Sequence, residues 1–192
     1  MKILISIITL LATLPAFANF NNSFLDGSLG YPFDLSIENP DGTMAYYDGF
    51  AFKTAFHYNF SDNRSETAYG FSFHYKYLKL DNTKKSTVSE TAIHKGVGVG
   101  IFAKVSGFYL GVNYSIMKAT HQSSGNVSAL DEFKYNPITA ELSYTVPYGN
   151  MIEIGPGASY SFADLSKTET GLSKDSSYKE KIVWLKIIFF FK

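Results

Sequence analysis

The chain has 192 residues, with 17 acidic and 17 basic side chains, no cysteine, and 17 Phe, 14 Tyr and 1 Trp. Zero net charge gives no footprint for nucleic-acid binding, and the missing thiols exclude both a disulfide framework and a lipid-modified cysteine. An aromatic share of 17% beside a charged share of 18% suits a chain that meets hydrocarbon, interface and water in turn.

The first element is an export signal. Lys2 supplies a positive start, the residues from Ile3 to Phe17 are almost wholly apolar, and Ala16-Phe17-Ala18 has the small-x-small form of a cleavage site. The apolar run contains Pro15 and falls short of the roughly 20 residues that a membrane helix needs. Residues 1–18 are therefore read as a cleaved signal peptide and residues 19–192 as one domain.

Beyond the signal, apolar residues recur at every second position, the period of strands. The first strand sets Leu29, Tyr31, Phe33, Leu35 and Ile37 against Ser28, Gly30, Pro32, Asp34, Ser36 and Glu38. The second carries Phe50, Phe52, Phe56, Tyr58 and Phe60, with Lys53 and His57 opposite; the third carries Tyr69 to Tyr77, with His74 and Lys76 opposite. The fourth runs through Val97, Val99 and Ile101, and the fifth, after a link short enough for a hairpin, from Phe108 to Met117. The sixth is built on Ile138 to Val146 with Glu141 on its polar face, and Pro137 makes its start irregular. The seventh runs from Ile152 to Phe162 with Glu153 on its polar face, and the eighth ends the chain.

The connections alternate in length. Asn39 to Gly49, Asp81 to Glu90, His121 to Glu132 and Asp164 to Ser177 are long and polar, whereas Ser61 to Glu66, Lys104 to Gly107 and Pro147 to Asn150 are short. Long loops outside and short turns at the periplasmic end are how outer-membrane barrels are strung. The bulky rings would overfill the narrow lumen of an eight-stranded barrel, whereas the small and ionic face fits it. The expected fold is all-β: a closed, eight-stranded, antiparallel, up-and-down transmembrane barrel. Closure follows from the membrane, because an unpaired backbone amide in hydrocarbon costs several kcal/mol.

On these segments the chain resembles the superfamily of small outer-membrane barrels that includes OmpX, the membrane part of OmpA, and OmpW, over essentially all of Gly27 to Phe191. The alternating C-terminal residues Val183, Leu185, Ile187, Phe189 and Phe191 look like the signal that this family presents to the barrel-assembly machinery, although Lys192 follows the last aromatic. The resemblance implies residence in the outer membrane, with its lipid and lipopolysaccharide as partners. No peptidoglycan-binding segment follows the barrel, so an anchoring role finds no support.

Among candidate functional residues, Asp34, Glu38, Glu141 and Glu153 share the polar face with Lys53, Lys76 and Lys186, and in a narrow lumen they must pair. They read as an internal plug; the alternative is the lining of a narrow channel for small or apolar solutes. His121 and Ser123, with Glu132 or Glu141 as a third member, resemble the catalytic set of PagL-type lipid A hydrolases, but a triad is defined by geometry. His57, His74 and His94 read as independent lumen residues, so no metal and no cofactor is expected. Trp184 and the tyrosines read as interfacial belts. Lys84-Lys85 and the lysines from Lys167 to Lys181 read as contacts to lipopolysaccharide phosphates or as a solvated surface. The leading functional reading is a non-enzymatic envelope protein with a role in integrity or in displaying its loops to an extracellular partner. A soluble exported barrel is the remaining alternative.

Overall fold

The computed structural model describes residues 23–38, 44–61, 67–82, 90–123, 130–165 and 176–191. The signal at residues 1–18, Lys84-Lys85, most of the Lys167 to Lys181 stretch and Lys192 lie outside the described residues. Among the described residues every regular element is a strand: β1 (Ser23–Glu38), β2 (Met44–Asn59), β3 (Thr67–Asn82), β4 (Glu90–Val105), β5 (Phe108–Ser123), β6 (Leu130–Tyr135), β7 (Ile138–Tyr144), β8 (Val146–Tyr148), β9 (Ile152–Leu165) and β10 (Ser176–Phe190).

These ten segments make eight staves. Strands β6, β7 and β8 are one ribbon in three pieces: β6 and β7 both pair with β5, and β7 and β8 both pair with β9. The first break falls at Asn136-Pro137, where proline has no N–H for the ladder. The second falls at Thr145, whose N–H bonds instead to the Gly107 carbonyl. All pairings are antiparallel, and β10 pairs with both β9 and β1, so the sheet closes with no free edge. The turn from β4 to β5 is a hairpin, as expected from sequence, but tighter than the link Lys104 to Gly107: only Ser106 at φ 48° and Gly107 at φ 87° lie between the strands, the left-handed pair that matches strand twist.

Along the membrane-facing part of the wall, the pleat sorts residues as expected. Phe71, Phe73, Val97, Val99, Ile101, Leu110, Val112 and Ile116 are all about half exposed or more. So wide an apolar surface marks a face that meets something other than water. On β5 this belt runs from Phe108 to Ile116, nine residues, and a tilted strand needs about 9–11 to cross hydrocarbon.

The strands, however, do not stop where the belt stops. Strands β1 to β5 are each 16 residues long and continue into stretches that composition assigns to loops. In those extensions the faces exchange character. Leu78 and Leu80 on β3, Met117 and Ala119 on β5, and Phe133 and Tyr135 on β6 are buried inside, while Lys79, Lys95 and Lys134 are exposed outside. The barrel is inside-out within the bilayer and built like a soluble protein above it.

In β1 this exchange needs a bulge. Pro32 pairs with Ile182 and Asp34 with Lys181, which leaves Phe33 as an extra residue, and the register against β2 slips over the same stretch. The bulge reverses the pleat: Leu35 and Ile37, expected on the lipid face, are buried inside. Asp34 turns outward accordingly, where it pairs with Lys181 at 2.7 Å.

Candidate functional site

The lumen is filled in layers. At the periplasmic end Phe24, Phe102, Tyr109 and Ile188 form a small apolar floor, with Phe190 packed against it. Lys104 reaches Glu153 beside it, and Thr145 Oγ1 donates to the same carboxylate at 2.6 Å.

Above the floor lies the main charge cluster. Lys186 Nζ stands 2.8 Å from Glu141 and 3.3 Å from Asp26, and Lys53 bonds to the other Glu141 oxygen. His57 Nε2 meets Asp26 at 2.6 Å, and Lys186 lies 3.5 Å from the centre of the Tyr109 ring. A second pair follows, Lys76 with Glu180, whose carboxylate also accepts from Ser161 at 2.8 Å and from the Tyr178 hydroxyl. These groups are nearly or fully buried, where an unpaired charge would cost several kcal/mol. Between the two clusters, a cavity of about 10 Å³ touches Lys53, His74, Lys76, Glu141 and Trp184, room for about one water molecule.

Over the charges sits the larger apolar layer, built on Leu35, Ile37, Leu78, Leu80, Met117, Phe133, Tyr135, Tyr178 and Trp184. Trp184 belongs to this interior and not to an interfacial belt. Its indole Nε1 donates to Ser159 Oγ at 2.8 Å, and its ring lies directly opposite Gly30. A Cβ at residue 30 would stand 2.4 Å from that ring, so the glycine is what gives the indole its space.

At the extracellular mouth Glu90, His94 and His121 meet. His121 Nδ1 lies 2.6 Å from Glu90 Oε1, His94 Nδ1 lies 2.7 Å from the Tyr135 hydroxyl, and the two Nε2 atoms are 3.2 Å apart. Glu90 lies five residues beyond Lys95, where the apolar belt of β4 ends, and is therefore outside the bilayer. The hydrogen bond from His121 holds its carboxyl below the usual carboxylate value, against the opposite push of half-burial.

The residues singled out from sequence thus divide. Lys53, Lys76, Lys186, Glu141 and Glu153 are inside and ion-paired. Asp34 and Glu38 are corrected to the outer side of the bulged strand, where Glu38 accepts from Ser177 at 3.2 Å. Asp26, Glu180 and Lys104 complete the network and escape the sequence pattern: Asp26 precedes the clear alternation, Lys104 reads as part of a short connection although it lies in β4, and Glu180 lies in a lysine-rich stretch. The nominated third members of a hydrolytic triad do not join His121. Glu132 pairs with Lys118 on the outside at 2.7 Å, and Glu141 is in the charge cluster. The Ser123 side chain lies outside the described residues. His57 and His74 stand apart, but His94 and His121 do not, and sequence separation gave no hint of it. No group of three or more metal-ligating side chains forms among the described residues. Of the C-terminal row, Val183, Leu185 and Phe189 face outward, with Ile187 and Phe191 half-buried.

No family model matches the chain, and no curated protein does. Solved structures do. The attachment invasion locus protein Ail of Yersinia pestis, in complex with the heparin analogue sucrose octasulfate, superposes with a TM-score of 0.56 at 16% identity over 88% of this chain and 99% of that one. Neisserial surface protein A superposes with a TM-score of 0.53 at 17% identity over 88% and 97%. At such identities the likeness is one of fold. Closed, belted with apolar side chains and packed with ion pairs, this chain has the fold of the small eight-stranded outer-membrane β-barrels and is an integral protein of that membrane.

Proposed function

We propose that this barrel conducts nothing and catalyses nothing, and that it works as a stable platform in the outer membrane whose extracellular rim and loops meet lipid headgroups and outside partners. The observation that carries this reading is the filling of the lumen among the described residues: an apolar floor, two ion-pair clusters and an apolar lid, with a cavity of about 10 Å³ between the clusters. A hydrated ion needs a continuous path, and side chains packed across the lumen in these layers oppose one.

The lipid partner is supported by a row of like charges on the outer wall. Lys95 pairs in register with Lys118, and Lys118 with Lys134. Like charges directly opposite in a sheet are destabilising, by roughly 0.2–1 kcal/mol each, and Glu132 offsets only part of this. The row lies where the apolar belt ends, which suits lipopolysaccharide phosphates. On β10 the outward residues Val183, Leu185 and Phe189 support recognition by the barrel-assembly machinery.

Reconstitution into planar bilayers tests the central point. The expected record is flat, without unitary steps, and solute-loaded vesicles should retain their contents. Reproducible single-channel openings would replace this reading with the channel.

A further inference from the structure

Two of the four histidines are arranged as metal ligands are, and the argument begins with the register. His121 lies opposite Ala92, and His94 opposite Ala119, so the two imidazoles are diagonal neighbours on the inner face of β4 and β5. The alanines opposite them leave the rings room to turn toward each other. Their Nε2 atoms approach to 3.2 Å. An ion about 2.0–2.1 Å from each nitrogen would subtend about 100° between them, close to a tetrahedral angle.

The outer nitrogens are held as well. His121 Nδ1 meets the Glu90 carboxylate at 2.6 Å, and His94 Nδ1 meets the Tyr135 hydroxyl at 2.7 Å. An oxygen behind each ring is the arrangement that fixes the tautomer of a ligating histidine and raises its basicity. With both Nδ1–H groups donating outward, both Nε2 lone pairs point at one another across 3.2 Å, and either a proton or a metal ion between them removes that repulsion. The Tyr135 hydroxyl can accept in this state because it has a second hydrogen-bond partner in Tyr178. His57 and His74 differ: their Nδ1 atoms have no polar partner among the described residues.

We propose that His94 and His121 bind one divalent late first-row transition ion of the class that prefers imidazole, through their Nε2 atoms, with water completing its shell and the Glu90 charge behind His121 compensating part of the ion's own. Access is from outside, since the Glu90 side chain is 28% exposed and that of His121 10%. Aromatic rings from Tyr47, Phe133 and Tyr178 surround the pair and hold the imidazoles in place. The site is separate from the ion-pair clusters that fill the lumen below.

The test is calorimetric titration of the refolded, full-length barrel in detergent with Zn²⁺, together with Cu²⁺ electron paramagnetic resonance. Saturation at one Zn²⁺ per chain is expected, with a Cu²⁺ spectrum split by two imidazole nitrogens. His94→Ala and His121→Ala should each weaken binding by at least about 100-fold, and Glu90→Gln, behind the ligand, by about 10–100-fold. Circular dichroism identifies any variant that has lost its barrel, and the Cu²⁺ spectrum of the unaltered protein decides the matter without variants. No saturable Zn²⁺ binding, a Cu²⁺ spectrum without two nitrogens, or affinity unchanged in both folded histidine variants would overturn the proposal.

Discussion

Single side chains set the stability of this interior, because each buried charge is shared among several partners. Glu141 receives both Lys53 and Lys186. Glu141→Ala would leave the two lysines one remaining carboxylate, Asp26, and removing one partner of a buried pair costs about 3–5 kcal/mol. Urea unfolding in detergent should show a loss of that size; a shift below about 1 kcal/mol would mean that water reaches the cluster freely. Trp184 offers a second measurement, since it is the only tryptophan. With its ring in the lumen, its fluorescence should be quenched weakly by spin-labelled lipid and weakly by iodide. Strong quenching by lipid would place the indole in the belt, where aromatic composition alone had put it. Composition errs here because its signal for a belt tryptophan and a lumen tryptophan is the same, and only the glycine at residue 30, on another strand, separates them.

At the scale of the strand, the instructive case is β1. Its apolar residues alternate without interruption from Leu29 to Ile37, so the pattern reads as one greasy face, yet the bulge at Phe33 divides it between lipid and interior. Deleting Phe33 should restore a plain ladder in which Pro32 still opposes Ile182 and Asp34 still opposes Lys181, so that Leu35 and Ile37 stay inside. The two buried side chains, worth roughly 1.5–3 kcal/mol each, then keep their places, so the urea midpoint should move little; a marked fall would show that the bulge itself is needed by the fold. The lysine row on β4, β5 and β6 makes a different prediction. Replacing Lys95, Lys118 and Lys134 by Glu should weaken binding to vesicles containing lipopolysaccharide and flatten its salt dependence, and equal binding by both proteins would remove lipopolysaccharide phosphate as the row's partner. The strands themselves were legible wherever rings alternate with glycine, serine or charge, as in β3 and β5. Their extracellular ends were not, because residues 78–82 and 117–123 mix charges and hydroxyls in the manner of loops, and inversion of the faces hides their period from any reading that expects the apolar side to stay on one face.

For the molecule as a whole, two solvents act along one barrel. Within hydrocarbon the wall turns its rings outward and must satisfy its polar residues inside; above the headgroups the same wall packs leucines and aromatics inward and lysines outward, as a water-soluble barrel does. The upper apolar layer is therefore a lid made by folding and not by loops, and it accounts for the closed lumen as much as the ion pairs do. Removing charges alone should not open a pore: a barrel carrying both Lys76→Met and Glu180→Leu is expected to record as flat in planar bilayers as the unaltered protein, and openings in that variant would identify the charge cluster as the real barrier. Closure and membrane residence followed from sequence period and composition. The contents of the lumen did not, since they depend on which strands face each other across the axis.

The ladder joining β1 to β10 brings Leu25 beside Phe189 and Gly27 beside Ile187, so a ribosome must finish its work before this cylinder can be sealed. Until then both margins of the growing sheet are sticky, and a nascent or truncated polypeptide will zip onto whatever open β-margin it encounters. The commonest error of manufacture should therefore be a pairing between neighbours, rising with the concentration at which the polypeptide is refolded.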